Sequence, residues 1–153
     1  MPKRSVDVAV LSITAPLKIG IYEAGKLIDM LESMGKSSDE LPRLFSRVLK
    51  EYNVIGIFYA KGPGSFMAIK IAYVFLKTLS VAKGIPLFAS DAFVFNGGAP
   101  IKSIGKNYFV KTEKGIEITR LDEVPSCEFN LPQVLDRKLF SEDAKPMYVV
   151  PAV

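Results

Sequence analysis

The residues that could most readily take part in chemistry form a glycine-rich turn, Lys61-Gly62-Pro63-Gly64-Ser65. This turn joins an apolar run to a long apolar stretch. A turn of this kind between a strand and a helix can hold an anion, because backbone amides and the helix dipole point towards it. It lacks both the Walker spacing and the Gly-x-Gly-x-x-Gly fingerprint. The alternative is structural: Gly62 and Gly64 permit a tight turn, and Ser65 caps the helix. Taken alone, the turn favours the structural interpretation.

Carboxylates are missing where metal-dependent phosphate chemistry would need them. The first predicted strand ends in Leu11-Ser12-Ile13-Thr14, the apolar run 54–60 contains no acid, and Asp7 lies too early on its strand. Histidine is absent and Cys127 is the single cysteine, so histidine bases, cysteine–histidine zinc sites and an internal disulfide are excluded. We therefore expect no catalytic, cofactor-binding or metal-binding residue in this chain.

Composition indicates a globular protein with a buried core. Of 153 residues, 49% are hydrophobic and 24% charged, with a formal net charge of +4. This mild basic excess is compatible with a function close to RNA, but it does not predict direct, sequence-specific RNA binding. The most apolar stretch, Phe66 to Ala82, is short for a membrane span and contains Lys70 and Lys77, so it predicts a packed helix. We expect a cytoplasmic protein with no membrane association.

The elements around the turn follow from hydrophobic periodicity. Three antiparallel strands, 5–13, 17–22 and 26–31, are predicted first, with Ala24-Gly25 as a turn. A helix follows with apolar residues from Leu41 to Tyr52; its start is either a capping box of Ser37 and Glu40 or a cap at Asp39, which the sequence leaves open. A central parallel strand at 54–60, helix two at 66–83, a strand at 86–90 and a helical turn at 91–95 complete this part.

The second part is smaller and begins at a cluster of breakers, Asn96-Gly97-Gly98-Ala99-Pro100. A hairpin is predicted from 108–112 and 116–121, then a short helix at 134–140 and a final strand at 146–150. We therefore predict an N-terminal lobe over residues 1–96 and a reduced C-terminal lobe over residues 97–153. The order β-β-β-α-β-α-β is that of an α/β, actin-like or ribonuclease H-like lobe, which by itself implies no activity.

Helix two carries more apolar surface than one sheet face requires. Lys70 and Lys77 are seven residues apart and share one narrow stripe, while Ala68 and Ala72 form a low patch where another helix could approach. The excess predicts a protein–protein interface, the alternative being a helix buried inside its own domain. The predicted interface residues, drawn from both helices, are Leu44, Phe45, Val48, Phe66, Ala68, Ile69, Ala72, Tyr73 and Leu76.

The segment from Lys61 to Phe66, followed by Lys70-Ile71-Ala72, resembles the hallmark of the TsaB family, also called YeaZ. That family has Gly-Pro-Gly-Ser-Phe and then Thr-Gly, a branched residue, Arg, Ile and Gly; Met67, Ala68 and Ala72 depart from it here, and Lys70 stands for Arg. The stretch 85–90 is also similar. The resemblance extends over residues 5–95 and then thins, with 146–149 similar to the closing Pro-x-Tyr-Leu pattern.

The resemblance implies a non-catalytic scaffold that forms a heterodimer with TsaD, the subunit carrying the nucleotide, the metal and the transferase chemistry. TsaE, an ATPase, joins this pair in bacteria, and tRNA is engaged indirectly. Together these proteins transfer a threonylcarbamoyl group to a tRNA adenosine, and the first two TsaB helices pack against TsaD. The alternatives are a small phosphate- or nucleotide-handling enzyme of actin-like fold that uses the Gly62–Ser65 turn, and a homodimer with an independent regulatory role. We also expect the chain to form a homodimer when its partner is absent.

Overall fold

A five-stranded mixed sheet is the centre of the fold in the computed structural model, which describes residues 2–126 and 128–149. The strand order is β3-β2-β1-β4-β5, with β1 antiparallel to β2 and parallel to β4. The predicted order of strands and helices is confirmed, as is the α/β class. The elements of this part are β1 Arg4–Leu11, β2 Leu17–Glu23, β3 Lys26–Ser33, α1 Ser37–Glu51, β4 Tyr52–Ala60, α2 Phe66–Lys83 and β5 Leu87–Ser90.

The opening meander forms where the sequence predicts it. Ala24 has a φ of 51° and Gly25 a φ of 82°, the left-handed pair that a two-residue hairpin needs to match the strand twist. Strand β1 is buried from Val6 to Leu11, because β2 and β4 cover its two edges and an apolar core covers each of its faces. The apolar runs of β1 and β4 are thus central strands, as predicted.

Helix α1 starts earlier than either predicted cap. It begins at Ser37 after Lys36, and no side chain caps its N-terminus. The Glu40 carboxylate, expected to close a capping box, instead accepts hydrogen bonds from Arg43 and from the Ser33 hydroxyl at 2.9 Å. Both proposed starts are therefore wrong, because β3 and α1 provide Glu40 with partners outside the first turn.

Helix α2 has the predicted ends. Ser65 is its N-cap and its hydroxyl accepts from the Ala68 amide at 3.4 Å, while Gly84 closes the helix with a φ of 67°. The left-handed conformation at Gly84 suits glycine, which has no Cβ to clash with the last turn. Among the residues that the structure describes, no helix has the length and apolar character needed to cross a membrane.

Two apolar cores lie on opposite faces of the sheet. One, between the sheet and both helices, includes Val8, Ile19, Leu44, Ala72 and Leu76. The other lies against the 3₁₀ turn at Ala92–Phe95, a second sheet and the C-terminal segment, and includes Leu11, Phe58, Phe93, Phe109 and Leu131. This second core contains residues from both sides of Asn96. The predicted division into two lobes after residue 96 stays a prediction.

The second sheet contains the predicted hairpin and one strand that the sequence did not reveal. Strands β7 (Asn107–Thr112) and β8 (Gly115–Arg120) pair antiparallel, and the two-residue strand β6 (Ile101–Lys102) pairs with β7. Strand β6 is too short to show alternation, so its existence depends on the pairing with β7. Its lysine lies 5.2 Å from the centroid of the Tyr108 ring.

Residues 129–149, called the tail here, cross from β3 to β5 on the face of the large sheet opposite to the helices, and Ala144 then packs into the core on the helix side. The predicted helix at 134–140 is wrong: a 3₁₀ turn covers Arg137–Leu139 alone. The backbone amide of Leu27 donates to Gln133 at 2.9 Å, and Ala89 and Ser141 exchange two backbone hydrogen bonds. Since β3 and β5 satisfy these tail groups, no local helix is needed. Residues 146–149 form no strand, and Val150 and Cys127 lie outside the described residues.

Two buried tyrosines attach the tail to the sheet. The Tyr22 hydroxyl donates to the Pro132 carbonyl at 2.6 Å, and the Tyr59 hydroxyl donates to the Ala144 carbonyl. Burial raises the pKa of both phenols above their ordinary value of 10.0. A tyrosine in an unfolded chain ionises near pH 10, so the folded state binds more protons above that pH. The stability that these two tyrosines contribute is therefore fully present below about pH 10 and is lost as the pH rises further.

We expect an alkaline titration to show this loss directly. The chain has six tyrosines and no tryptophan, so near-ultraviolet absorbance reports tyrosinate alone. Tyr22 and Tyr59 should ionise only in a cooperative step that coincides with loss of the circular dichroism signal. Smooth ionisation of every tyrosine with unchanged circular dichroism would contradict the buried hydrogen bonds.

Candidate protein–protein interface

The Gly62–Ser65 turn is held by the structure around it. The Gly62 carbonyl accepts from the Ala92 amide at 2.7 Å, and the Lys61 carbonyl accepts from the Met147 amide at 2.7 Å. Gly62 has a φ of 124°, which disfavours any residue with a Cβ, and the Met147 carbonyl crowds the space that a side chain would take. Both carbonyls connect the turn to neighbouring segments, which is the structural role that the sequence favoured.

Asp7, the acid in strand β1, forms an ion pair. Its carboxylate accepts two hydrogen bonds from one Arg137 nitrogen, at 2.9 and 2.8 Å, and the guanidinium carbon lies 5.4 Å from the centroid of the Phe58 ring. No group of three or more acidic, histidine or cysteine side chains could hold a metal ion within residues 2–126 and 128–149. Asp7 therefore connects the tail to β1.

Most of the residues predicted to meet a partner lie in the chain's own core. Leu44, Phe45 and Val48 of α1 face the sheet and α2, Ala72 and Leu76 of α2 face the sheet, and Ile69 packs against the Gly62–Gly64 turn; all are at most 2% exposed. Their assignment as direct interface residues is corrected, because packing between the helices and the sheet already covers them. Phe66 is exposed, and Ala68 and Tyr73 are half-buried, so these three reach the surface.

An apolar groove lies between the outer sides of the two helices. It has a volume of about 450 Å³ and is called the α1–α2 groove here. The Phe45 and Phe75 rings, 5.6 Å apart, fix the two helices against each other. Met67 and Val74 are exposed, at 64% and 54%. The groove is lined by Ser37, Ser38, Pro42, Met67, Lys70, Ile71, Val74, Phe75 and Thr78.

None of the predicted interface residues lines this groove, yet a signal for it was present in the sequence. Lys70 and Lys77 are both exposed, as their shared stripe predicts, and they mark the side of α2 that faces water. Residues three or four positions from Lys70 flank it on the helix surface; they are Phe66, Met67, Tyr73 and Val74, of which Met67 and Val74 line the groove. The lysine stripe thus locates the outer surface of α2 better than the alanine pair does.

The charges around the groove differ between the two helices. Helix α2 contains three lysines and no acid, with Lys70 in the groove lining. On α1, a hydrogen bond from Arg43, which has the larger effect, and one from Ser33 hold the pKa of Glu40 below its usual value. This carboxylate is therefore already paired within the chain. The outer side of α2 is therefore apolar with a positive edge, which suits a partner helix with an apolar stripe and an acidic margin.

Comparison with known proteins supports the fold. No protein-family model and no curated protein matches the sequence. Two solved structures match with a TM-score of 0.56: YeaZ from Pseudomonas aeruginosa, at 16% identity, and an uncharacterized protein with similarity to peptidase YeaZ from Pseudomonas aeruginosa, at 17%. The matches cover 80% and 75% of this chain, but only 66% and 63% of those chains. The chain therefore has the actin-like, ribonuclease H-like α/β fold of the YeaZ structures.

Proposed function

We propose that this chain is a TsaB-type scaffold subunit of a threonylcarbamoyl-transfer complex acting on tRNA adenosine. It would form a heterodimer with a TsaD-like subunit that performs the chemistry, with a TsaE-like ATPase and tRNA engaged through the complex in the cytoplasm. The observation that carries the proposal is the exposed α1–α2 groove, which lies on the helices that pack against TsaD in the family. The Gly-Pro-Gly-Ser-Phe motif and the YeaZ-like fold support the same assignment.

The scaffold role also agrees with how the chain uses its polar groups. Ser65 caps α2, the turn carbonyls bind neighbouring amides, and Asp7 is paired with Arg137. A phosphate-handling enzyme, the alternative function, would instead need the Ser65 hydroxyl and the Asp7 carboxylate free to meet its substrate or a metal ion. Calorimetry with ATP and Mg²⁺ separates the two functions, since the scaffold should show no micromolar ATP binding when isolated.

A charge in the groove tests the scaffold function. We expect Val74→Arg to leave the melting temperature within a few degrees of wild type, because Val74 is 54% exposed. On binding, the guanidinium would lose water against the apolar stripe of the partner, whose acidic margin lies opposite Lys70 at the edge of the groove, at a cost of several kcal/mol. Affinity for the TsaD-like subunit of the same organism should therefore fall by roughly 100-fold, measured by co-purification and calorimetry.

Val124→Arg is the matched control, since Val124 is 86% exposed in the loop after β8 and does not line the groove. It should bind the TsaD-like subunit like wild type. Wild-type affinity of Val74→Arg would place the partner elsewhere on the chain. Failure of the wild-type chain to bind any TsaD-like subunit would refute the proposed function itself.

A further inference from the structure

The α1–α2 groove is too small to be a whole protein–protein interface. Nine residues line it. A stable interface of ordinary size buries roughly 800 Å² and about 20–30 residues on each partner. A partner that is held by the groove must therefore cover further surface beside it, and binding gains most where that surface is apolar.

A larger apolar cleft adjoins the groove at the start of α2. The start of α2, the Gly64-Ser65 turn and the β1–β2 loop form one wall of this cleft, and Ile101, residues 103–104 and segment 128–130 form the other. Its volume is about 1010 Å³, and we call it the α2–β6 cleft. Met67 lines both the cleft and the groove, so the two are continuous over its exposed side chain.

The base of the α2–β6 cleft consists of side chains that are already packed. Leu11, Ile13 and Phe109 are buried there. A side chain at Gly64 would come within 2.5 Å of the Ile13 Cγ2 atom, so the turn and the segment after β1 lie directly against each other. Because the base is formed before binding, an occupant does not have to order it, which lowers the entropic cost of association.

The rim of the cleft exposes apolar side chains to water. Ile104 is 83% exposed and Phe66 is 48% exposed, and the Phe66 ring packs edge to face on the Tyr148 ring with the two centroids 5.0 Å apart. With Met67 and Val74 they extend the exposed apolar surface from the groove to the cleft, and such patches mark protein interaction sites. A small molecule at the base would leave the rim in water, whereas a protein segment arriving from the groove covers both.

The charges at the cleft favour an uncharged occupant. Lys18 and Glu128 have opposite signs and leave no net charge in the lining. The Lys18 ammonium already donates to two oxygens of segment 129–130, and Lys102 directs its ammonium to the Gly105 carbonyl, outside the lining. A charged group entering the cleft would therefore lose water without gaining a partner, so aliphatic or aromatic side chains are favoured.

We propose that the α2–β6 cleft is the second half of the partner surface. The subunit whose helix occupies the α1–α2 groove inserts an uncharged apolar segment past Met67 into the cleft, with aliphatic or aromatic side chains against Phe66 and Ile104. The cleft adds more than a dozen lining residues to the nine of the groove, which brings the surface to the size of an ordinary interface. This inference rests on the proposed function, since it takes the TsaD-like subunit as the partner.

The test is the affinity of the full chain and its variants for the TsaD-like subunit of the same organism, measured by calorimetry. Ile104→Arg puts a charge at the cleft rim on a mostly exposed residue, so the melting temperature should stay within a few degrees of wild type and the affinity should fall at least tenfold. Ile104→Leu keeps the apolar surface and should bind like wild type, as should the control Val124→Arg. Binding should also slow deuterium exchange of the backbone amides of residues 101–104.

The outcomes separate this inference from the proposed function. If the wild-type chain binds no TsaD-like subunit, both fail. If Val74→Arg weakens binding while a folded Ile104→Arg binds like wild type and residues 101–104 gain no protection, the function stands and the cleft lies outside the interface. If Ile104→Arg does not fold, Ile104→Ser decides instead: about tenfold weaker binding is expected, and wild-type affinity overturns the inference. Loss of a homodimer with unchanged affinity for the TsaD-like subunit would assign the cleft to a second copy and overturn it too.

Discussion

Replacing Ala72 by arginine is expected to unfold the chain. Ala72 is 0% exposed and lies between α2 and the sheet. A guanidinium there would lose its water without an opposite charge, which costs several kcal/mol, and the larger side chain would add roughly 1–3 kcal/mol of overpacking. A domain of this size has about 5–15 kcal/mol of stability in total, so the sum removes most or all of it. Circular dichroism and thermal melting measure the loss.

Ala68→Arg is the matched control, since it makes the same change one turn earlier in the same helix. Ala68 is half-buried, so a long side chain can extend to water, and alanine and arginine have similar helix propensities. We expect its free energy of unfolding to stay within about 1 kcal/mol of wild type. A folded Ala72→Arg with a wild-type melting temperature would show that Ala72 does not lie in the core.

The position of α2 could be predicted from the sequence, but its buried side could not. Its ends follow from Ser65 and Gly84, whose conformations are local. Its buried side depends on which residues meet the sheet, and a helix that is apolar around most of its circumference has no single apolar face in its pattern. The pattern therefore could not show that Ala72, predicted to meet a partner, lies in the core and that Val74 faces water.

The same division between local and distant causes holds for the whole fold. The meander and the central strand were predictable because alternation, the Ala24-Gly25 turn and a continuous apolar run are local signals. The tail was not, because its backbone hydrogen bonds go to β3, β5 and the loops at Gly25, Lys61 and Phe95 and leave no periodicity in its own sequence. The pairing of Asp7 with Arg137 joins residues 130 positions apart and has no local signature either.

That ion pair should contribute more to stability than the exposed ion pairs do. The Asp7 side chain is 9% exposed and that of Arg137 is 59% exposed. Arg137→Met would leave a buried carboxylate without its partner, and we expect the free energy of unfolding to fall by roughly 3 kcal/mol, the low end for a broken buried pair. Chemical denaturation near neutral pH measures it. Arg4→Met, which breaks the exposed pair with Glu23, should cost less than about 1 kcal/mol and is the control.

Because the Asp7 and Arg137 side chains are exposed to different extents, the two single variants of a double-mutant cycle should lower the free energy of unfolding by different amounts. Asp7→Asn keeps the size and acceptor of the side chain and leaves Arg137 mostly in water, so it should cost less than Arg137→Met. Adding Asp7→Asn to Arg137→Met removes the unpaired buried charge, and the double variant should be more stable than Arg137→Met alone. If Arg137→Met costs no more than Arg4→Met, or if the double variant is the least stable, then Asp7 is solvated and the pair does not hold the tail to β1.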